Sequence, residues 1–281
     1  MKVIVGKYTG FCSGVRRAIS GTEEVLQNGK KIYCLGEIIH NPSVVASLKL
    51  RGMIFVDDIS AVPEGTTFII RSHGLQSDII QNAGKRRLHI HDFTCPKVKK
   101  IHRLAVELTD KGYTIFIIGN PNHPEVKAIL SLTRGNARVV EKTKELNQIP
   151  PENQYAVVVQ TTFNPLSFSD IVGEIVQRVK KTQVYNTLCE ETVKRQREAL
   201  ALAEDVDFMV VVGGKNSSNT KTLCAIVRDK VPVIHVESAH ELEKPMFHEV
   251  QKVGIISGAS TPEEEVRKVR STILRFSGNS H

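Results

Sequence analysis

The chain has 281 residues, enough for one large domain or two to three small ones with ample core. Its 41% hydrophobic and 24% charged residues are ordinary for a globular protein, and no apolar run approaches a membrane span. The net charge of +8 is moderate and spread along the chain. With no nucleic-acid motif and few aromatics, RNA or DNA binding is not expected. The clusters Lys85-Arg86-Arg87 and Lys97…Lys99-Lys100 read first as solvated basic surface, and second as an attraction for an anionic substrate and an acidic partner.

Met1-Lys2-Val3-Ile4-Val5-Gly6 reads as a strand and not as a signal peptide, which predicts a cytoplasmic protein with reduced thiols. Cys12 follows, and Val15, Ala18, Ile19, Thr22, Val25 and Leu26 then keep helical spacing. A strand at Ile32–Leu35 ends in Gly36, with His40 beyond it, and a further strand at 68–70 runs into Ser72-His73. The pattern then restarts. Leu88-His89-Ile90 leads to Cys95, a helix marked by Val98, Ile101, Ala105 and Leu108, a strand at 113–118, Gly119, His123, a strand at 156–159 and Thr161-Thr162. It restarts again at Val184-Tyr185, with Cys189, a helix through Val193, Gln196, Leu200 and Ala203, a strand at Phe208–Val212, Gly213, Ser217, a strand at 253–256 and Ser260.

The glycine lies 24 positions after the cysteine each time (36−12, 119−95, 213−189), and His40, His123 and Ser217 lie at 28. Near-continuous apolar strands of this kind belong to buried parallel sheets. The prediction is an α/β protein of three small parallel-sheet domains related by pseudo-threefold symmetry around a central cavity: 14–96, 97–191, and 192–281 completed by 1–13. In such modules ligands gather beyond the C-terminal strand ends, next to helix N-termini. The three cysteines, the His40/His123/Ser217 set and the His73/Thr161/Ser260 set all fall there.

Each of Cys12, Cys95 and Cys189 stands just before a helix, where the dipole favours thiolate, and Pro96 strengthens that placement. Cys34 in a strand and Cys224 in a helix read as inert and buried. Three equivalent thiolates without paired CxxC spacing suit an iron–sulfur cluster with one open iron, with zinc as the other possibility. His89, His91, His102, His235, His240 and His248 lie off the repeat and read as surface or packing residues. Asn216-Ser217-Ser218-Asn219 and Gly258-Ala259-Ser260-Thr261-Pro262-Glu263 read first as helix caps, and also as donors for phosphate oxygens. Neither a P-loop nor a GxGxxG fingerprint is present.

Gly10-Phe11-Cys12-Ser13-Gly14-Val15, Ile39-His40-Asn41, Ser72-His73-Gly74, Thr94-Cys95-Pro96, His123-Pro124-Glu125-Val126, Gln160-Thr161-Thr162, Cys189, Asn216-Ser217-Ser218-Asn219 and Gly258-Ala259-Ser260 occur in order. Nearly end to end, this series resembles the LytB-type 4-hydroxy-3-methylbut-2-enyl diphosphate reductases, which end the non-mevalonate isoprenoid pathway. The chain departs from that pattern at Thr9, Ser13, Arg71, Phe93, Lys127-Ala128 and Lys194, none of which removes a proposed ligand or acid. The resemblance implies a trefoil of three α/β domains and a 4Fe–4S cluster on Cys12, Cys95 and Cys189. It further implies substrate binding by His40, His73, His123, Thr161, Ser217, Ser218, Asn219 and Ser260, with Glu125 relaying protons. The expected reaction is reductive dehydroxylation of an allylic diphosphate to isopentenyl and dimethylallyl diphosphates, with electrons from an acidic carrier such as ferredoxin or flavodoxin. The rival readings are a redox-neutral hydro-lyase using the open iron and an iron–sulfur ligand sensor.

Overall fold

The computed structural model describes residues 1–27, 29, 31–146, 149, 150 and 154–278, so residues 279–281 of the third predicted domain lie outside it. The chain opens with β1 (Lys2–Val5), α1 (Ser13–Leu26), β2 (Ile32–Leu35), α2 (Pro42–Leu50), β3 (Met53–Val56), β4 (Thr67–Ile70), α3 (Ser77–Lys85) and β5 (His89–Asp92). Next come α4 (Pro96–Asp110), β6 (Thr114–Ile118), α5 (Pro124–Ser131), β7 (Ala137–Val140), β8 (Tyr155–Val159), α6 (Pro165–Arg178) and β9 (Thr182–Val184). The remainder is α7 (Glu190–Ala203), β10 (Phe208–Val212), α8 (Ser218–Val227), β11 (Val233–Val236), β12 (Lys252–Ser257) and α9 (Glu263–Gly278). No helix among the described residues is long and apolar enough to cross a membrane.

Two compact units divide the chain. The first comprises Met1–Arg16, Ile39–Ala46 and Glu190–His281, and the second Arg17–Ile38 and Ser47–Cys189. The first holds one four-stranded parallel sheet, ordered β11-β10-β12-β1; the second holds two, ordered β3-β2-β4-β5 and β7-β6-β8-β9. All three orders are the same, with β1 in the place that β5 and β9 take. The same bond recurs beside the central strand: the N–H of Gly36 donates to Val56 (2.8 Å), of Gly119 to Val140 (3.0 Å) and of Gly213 to Val236 (2.9 Å). Gly36 (φ +63°) and Gly213 (φ +153°) turn there through conformations that a side chain resists, which accounts for part of the repeat.

The central strands are apolar because both of their faces are covered. All of β8 is buried, as are the last four residues of β10 and the last five of β12. In the first unit Val210, Val253, Ile255, Val266, Val269 and Ile273 form one core layer, while Ala199, Met209, Val211, Leu223 and Val227 form the other. The second unit repeats the arrangement, with Phe116, Val157 and Ile171 in one layer and Ile101, Ile115, Val126 and Ala156 in another.

Two features differ from the sequence reading. Each sheet has a fourth strand (β3, β7, β11) that the apolar runs did not mark: none leads into a repeat cysteine, as β1, β5 and β9 do, and two are interrupted by Arg138 or His235. On α4 the expected face is the buried one, Val98, Ile101, Ala105 and Leu108. On α7 the buried face is Thr192, Arg195, Gln196, Ala199 and Ala203, so Val193 and Leu200 are displaced from it and an arginine is enclosed.

Candidate functional site

In the second unit, Cys95 is the N-cap of α4, with Pro96 in the first turn, and its N–H donates to the Ser72 carbonyl at 2.9 Å. The Cys189 N–H donates to the Thr161 carbonyl, also at 2.9 Å. The Lys97 ammonium lies 3.3 Å from the Cys189 sulfur, so this lysine is part of a thiol's surroundings and not simply solvated surface. The helix-start argument for thiolate character is outweighed at Cys95. Burial pushes its thiol up, the amides of Lys97 and Val98 pull it down, and the charges of Cys189 and Glu125 add to the rise. A cation at these sulfurs would relieve both costs.

His73 and His123 meet edge to face, with ring centroids 5.3 Å apart. His123 caps α5: its Nδ1 accepts the Glu125 N–H at 3.2 Å, which holds the ring in the tautomer protonated at Nε2. Glu125 is only 1% exposed. Its Oε1 accepts the Thr161 N–H at 2.7 Å, and the Thr161 hydroxyl meets Oε2 at 2.6 Å. Burial lifts this carboxyl to about 7, well above a carboxylate's ordinary range, despite both bonds from Thr161.

The first unit carries the other candidates. The Cys12 N–H donates to the Ala259 carbonyl at 3.0 Å, and its sulfur accepts the Val15 N–H at 3.4 Å from the first turn of α1. Ser217 caps α8, its hydroxyl accepting the Thr220 N–H at 3.4 Å, and Ser218 opens that helix. Asn219 is buried, yet neither its Oδ1 nor its Nδ2 has a partner among the described residues. An unpaired buried amide is costly, so its presence points to a polar ligand. The Ser260 hydroxyl donates to the His40 carbonyl at 3.4 Å. A Cβ on Gly214 would stand 2.2 Å from that carbonyl, so only glycine permits this approach. His40, Gly214 and Ser260 are therefore brought together within one unit.

The repeat-based equivalences hold with one-residue slips. The caps of α5 and α8 are His123 and Ser217, but at α2 the side-chain acceptor is Asn41, one residue beyond His40, whose Oδ1 takes the Val44 N–H at 3.1 Å. Cys12, Cys95 and Cys189 bond the carbonyls of Ala259, Ser72 and Thr161, so Thr161 corresponds to the residue before His73 and Ser260. Cys34 and Cys224 are buried, which pushes their thiols to about 12 and about 11, as inert cysteines require. Sequence reasoning missed Lys97, hidden in a basic run, and the buried Arg195. No periodic signal marked it, because its face of α7 also carries Thr192 and Gln196.

The three repeat cysteines are partly exposed and unbridged, and a set of soft sulfur donors on helix starts suits an iron–sulfur group. A family model for the LytB protein matches residues 3–274. The chain belongs to the LytB family. Among its LytB relatives are proteins named 4-hydroxy-3-methylbut-2-enyl diphosphate reductase: one from Geobacter sp. (strain M21) is 42% identical over 94% of this chain and 93% of its own length. Another, from Aquifex aeolicus, is 40% identical over 96% and 95%. A solved structure of the E-1-hydroxy-2-methyl-but-2-enyl-4-diphosphate reductase from Plasmodium falciparum superposes with a TM-score of 0.91 at 30% identity, covering 96% of this chain and 87% of that one. A second, described as (E)-4-hydroxy-3-methyl-but-2-enyl diphosphate reductase, the terminal enzyme of the non-mevalonate pathway, gives 0.71 at 39% identity, covering 98% and 100%.

Proposed function

We propose that this LytB-family chain is a cytoplasmic 4-hydroxy-3-methylbut-2-enyl diphosphate reductase. It would convert the allylic alcohol, two electrons and two protons to isopentenyl or dimethylallyl diphosphate and water. The observation that carries the reading, beside the named relatives, is a buried carboxyl lifted to about 7 and bonded to a hydroxyl in the unit that also holds Cys95 and Cys189. A carboxyl in that state holds a proton about half the time near neutrality and can both give and regain it, which suits a general acid.

The proposed cluster ligands are Cys12, Cys95 and Cys189. When bound, a 4Fe–4S cluster supplies electrons one at a time and a Lewis-acidic iron for the substrate hydroxyl. The chain's own residues do the rest. Glu125 holds a proton at Oε2 and passes it through the Thr161 hydroxyl, which donates onward as it accepts. Neutral donors bind the diphosphate: the hydroxyls of Ser217, Ser218 and Ser260, the Asn219 amide, and the imidazoles of His40, His73 and His123. At α8 the helix N-terminus adds its dipole to the anion. The net charge of +8 supports a small acidic one-electron donor of the ferredoxin or flavodoxin kind.

Anaerobic purification tests the reading. Brown protein with about four iron and four sulfide per chain, and turnover only when a reductant is supplied, is the expected result. Stoichiometric zinc without sulfide, or dehydration without reductant, would overturn it.

A further inference from the structure

The enclosed arginine of α7 has a use that the reaction chemistry does not assign. Arg195 sends one guanidinium nitrogen to the Tyr8 carbonyl (2.6 Å) and the Ser257 carbonyl (3.4 Å), and the other to the Gly10 carbonyl (2.8 Å). One turn on, the Glu198 carboxylate accepts the N–H of Lys7 (2.5 Å) and of Tyr8 (2.8 Å). One turn back, Glu191 accepts the Ser13 N–H at 3.0 Å and also its hydroxyl. Positions 191, 195 and 198 share one helix face, and apart from the Ser257 carbonyl at the end of β12 their targets run from Lys7 to Ser13, along the segment between β1 and the start of α1. That segment carries Cys12. Few of its side chains enter a core, so these charge-assisted bonds are its main anchorage on this side.

We propose that Glu191, Arg195 and Glu198 are positioning residues for Cys12, clamping its loop to the helix that starts one residue after Cys189. The proposal rests on the reading of Cys12 as a cluster ligand. Its geometry demands arginine in particular: three carbonyls converge on a planar fork, and a lysine's single ammonium cannot span them. The clamp sets the loop before the cluster arrives, so that the Cys12 sulfur is presented instead of searching for its place.

Arg195→Lys, Glu191→Ala, Glu191→Gln and Cys12→Ser in the full-length chain test this with two readouts besides activity. The first is amide hydrogen exchange of residues 7–13 in iron-free protein. The second is the rate at which an iron chelator bleaches the reconstituted protein. In Arg195→Lys and Glu191→Ala, both rates should rise about tenfold, the effect of losing one charge-assisted bond, with exchange in β6 and β8 unchanged. Glu191→Gln should recover most of the loss, since its amide oxygen still accepts the Ser13 N–H. Should Arg195→Lys fail to fold, the Glu191 pair, at a partly exposed position, decides alone. Both rates within about twofold of wild type would overturn the clamp. Full iron retention by Cys12→Ser would instead overturn the ligand reading beneath it.

Discussion

Glu125 shows how one residue's burial becomes chemistry. Its carboxyl sits at about 7 because enclosure penalises the charged form more than the Thr161 bonds favour it. The sign follows directly. Between about 4.5 and about 7 the folded chain keeps a proton that the unfolded chain releases, so wild type loses stability as pH rises across that window. Glu125→Gln removes the titration, so its stability relative to wild type should climb from pH 5 to pH 8, as denaturant unfolding at both values would reveal. The same variant cannot deliver a proton: turnover should fall by at least ~10², with iron content and substrate binding retained. Activity within a few-fold of wild type under saturating reductant would reduce Glu125 to a helix-start residue. In wild type, the turnover rate should decline as pH passes about 7. Asn219 makes the second residue-scale case. Ser217→Ala with Asn219→Ala should weaken diphosphate binding without altering the cluster spectrum. Unchanged affinity, by calorimetry, would leave that loop as a cap alone.

Helix starts carry most of the proposed site, and at this scale cap and proposed ligand roles overlap. His123 is both N-cap of α5 and neighbour of His73, so the two functions need separate variants. His123→Asn keeps a good cap and loses the imidazole; His123→Ala loses both, at a cost near ~1 kcal/mol of stability. The expected outcome is near-wild-type melting for Asn, a lower melting temperature for Ala and weakened substrate binding in both. Tight binding by the Asn variant would show that the ring serves the helix only. Helix starts were legible because cysteine and glycine recur at a fixed offset, with the cap at most one residue out of register. The buried face of α7 was not. Its arginine satisfies the carbonyls of Tyr8 and Gly10 near the start of the chain, partners at long sequence separation that periodicity cannot see. The α4 face, built from local apolar packing, was read correctly for the converse reason.

For the whole molecule, the three-sheet α/β architecture could be read from alternating apolar runs and a constant cysteine-to-glycine distance, because central strands buried on both faces leave an uninterrupted apolar signature. The strands β3, β7 and β11 escaped because none leads into a repeat cysteine, as β1, β5 and β9 do, and two are broken by Arg138 or His235. The shared sheet order has a consequence for how the protein is made. In two sheets every strand pairs with partners at most 41 positions away, Thr114 with Tyr155 (155−114) being the widest offset, whereas Lys2 pairs with Lys252. During synthesis β1 must therefore wait, unpaired, until β12 has left the ribosome, while the β2–β5 and β6–β9 sheets can close behind it. Closing so long a loop is slow. The Cys12 loop is then the last of the proposed ligand segments to take shape, and under the proposed ligation iron would be secured only on a finished chain. Pulse-labelled hydrogen exchange during refolding should accordingly find Val3, Ile4 and Val5 protected in the slowest phase, after Ile115 and Val157; simultaneous protection would show that the ends meet early.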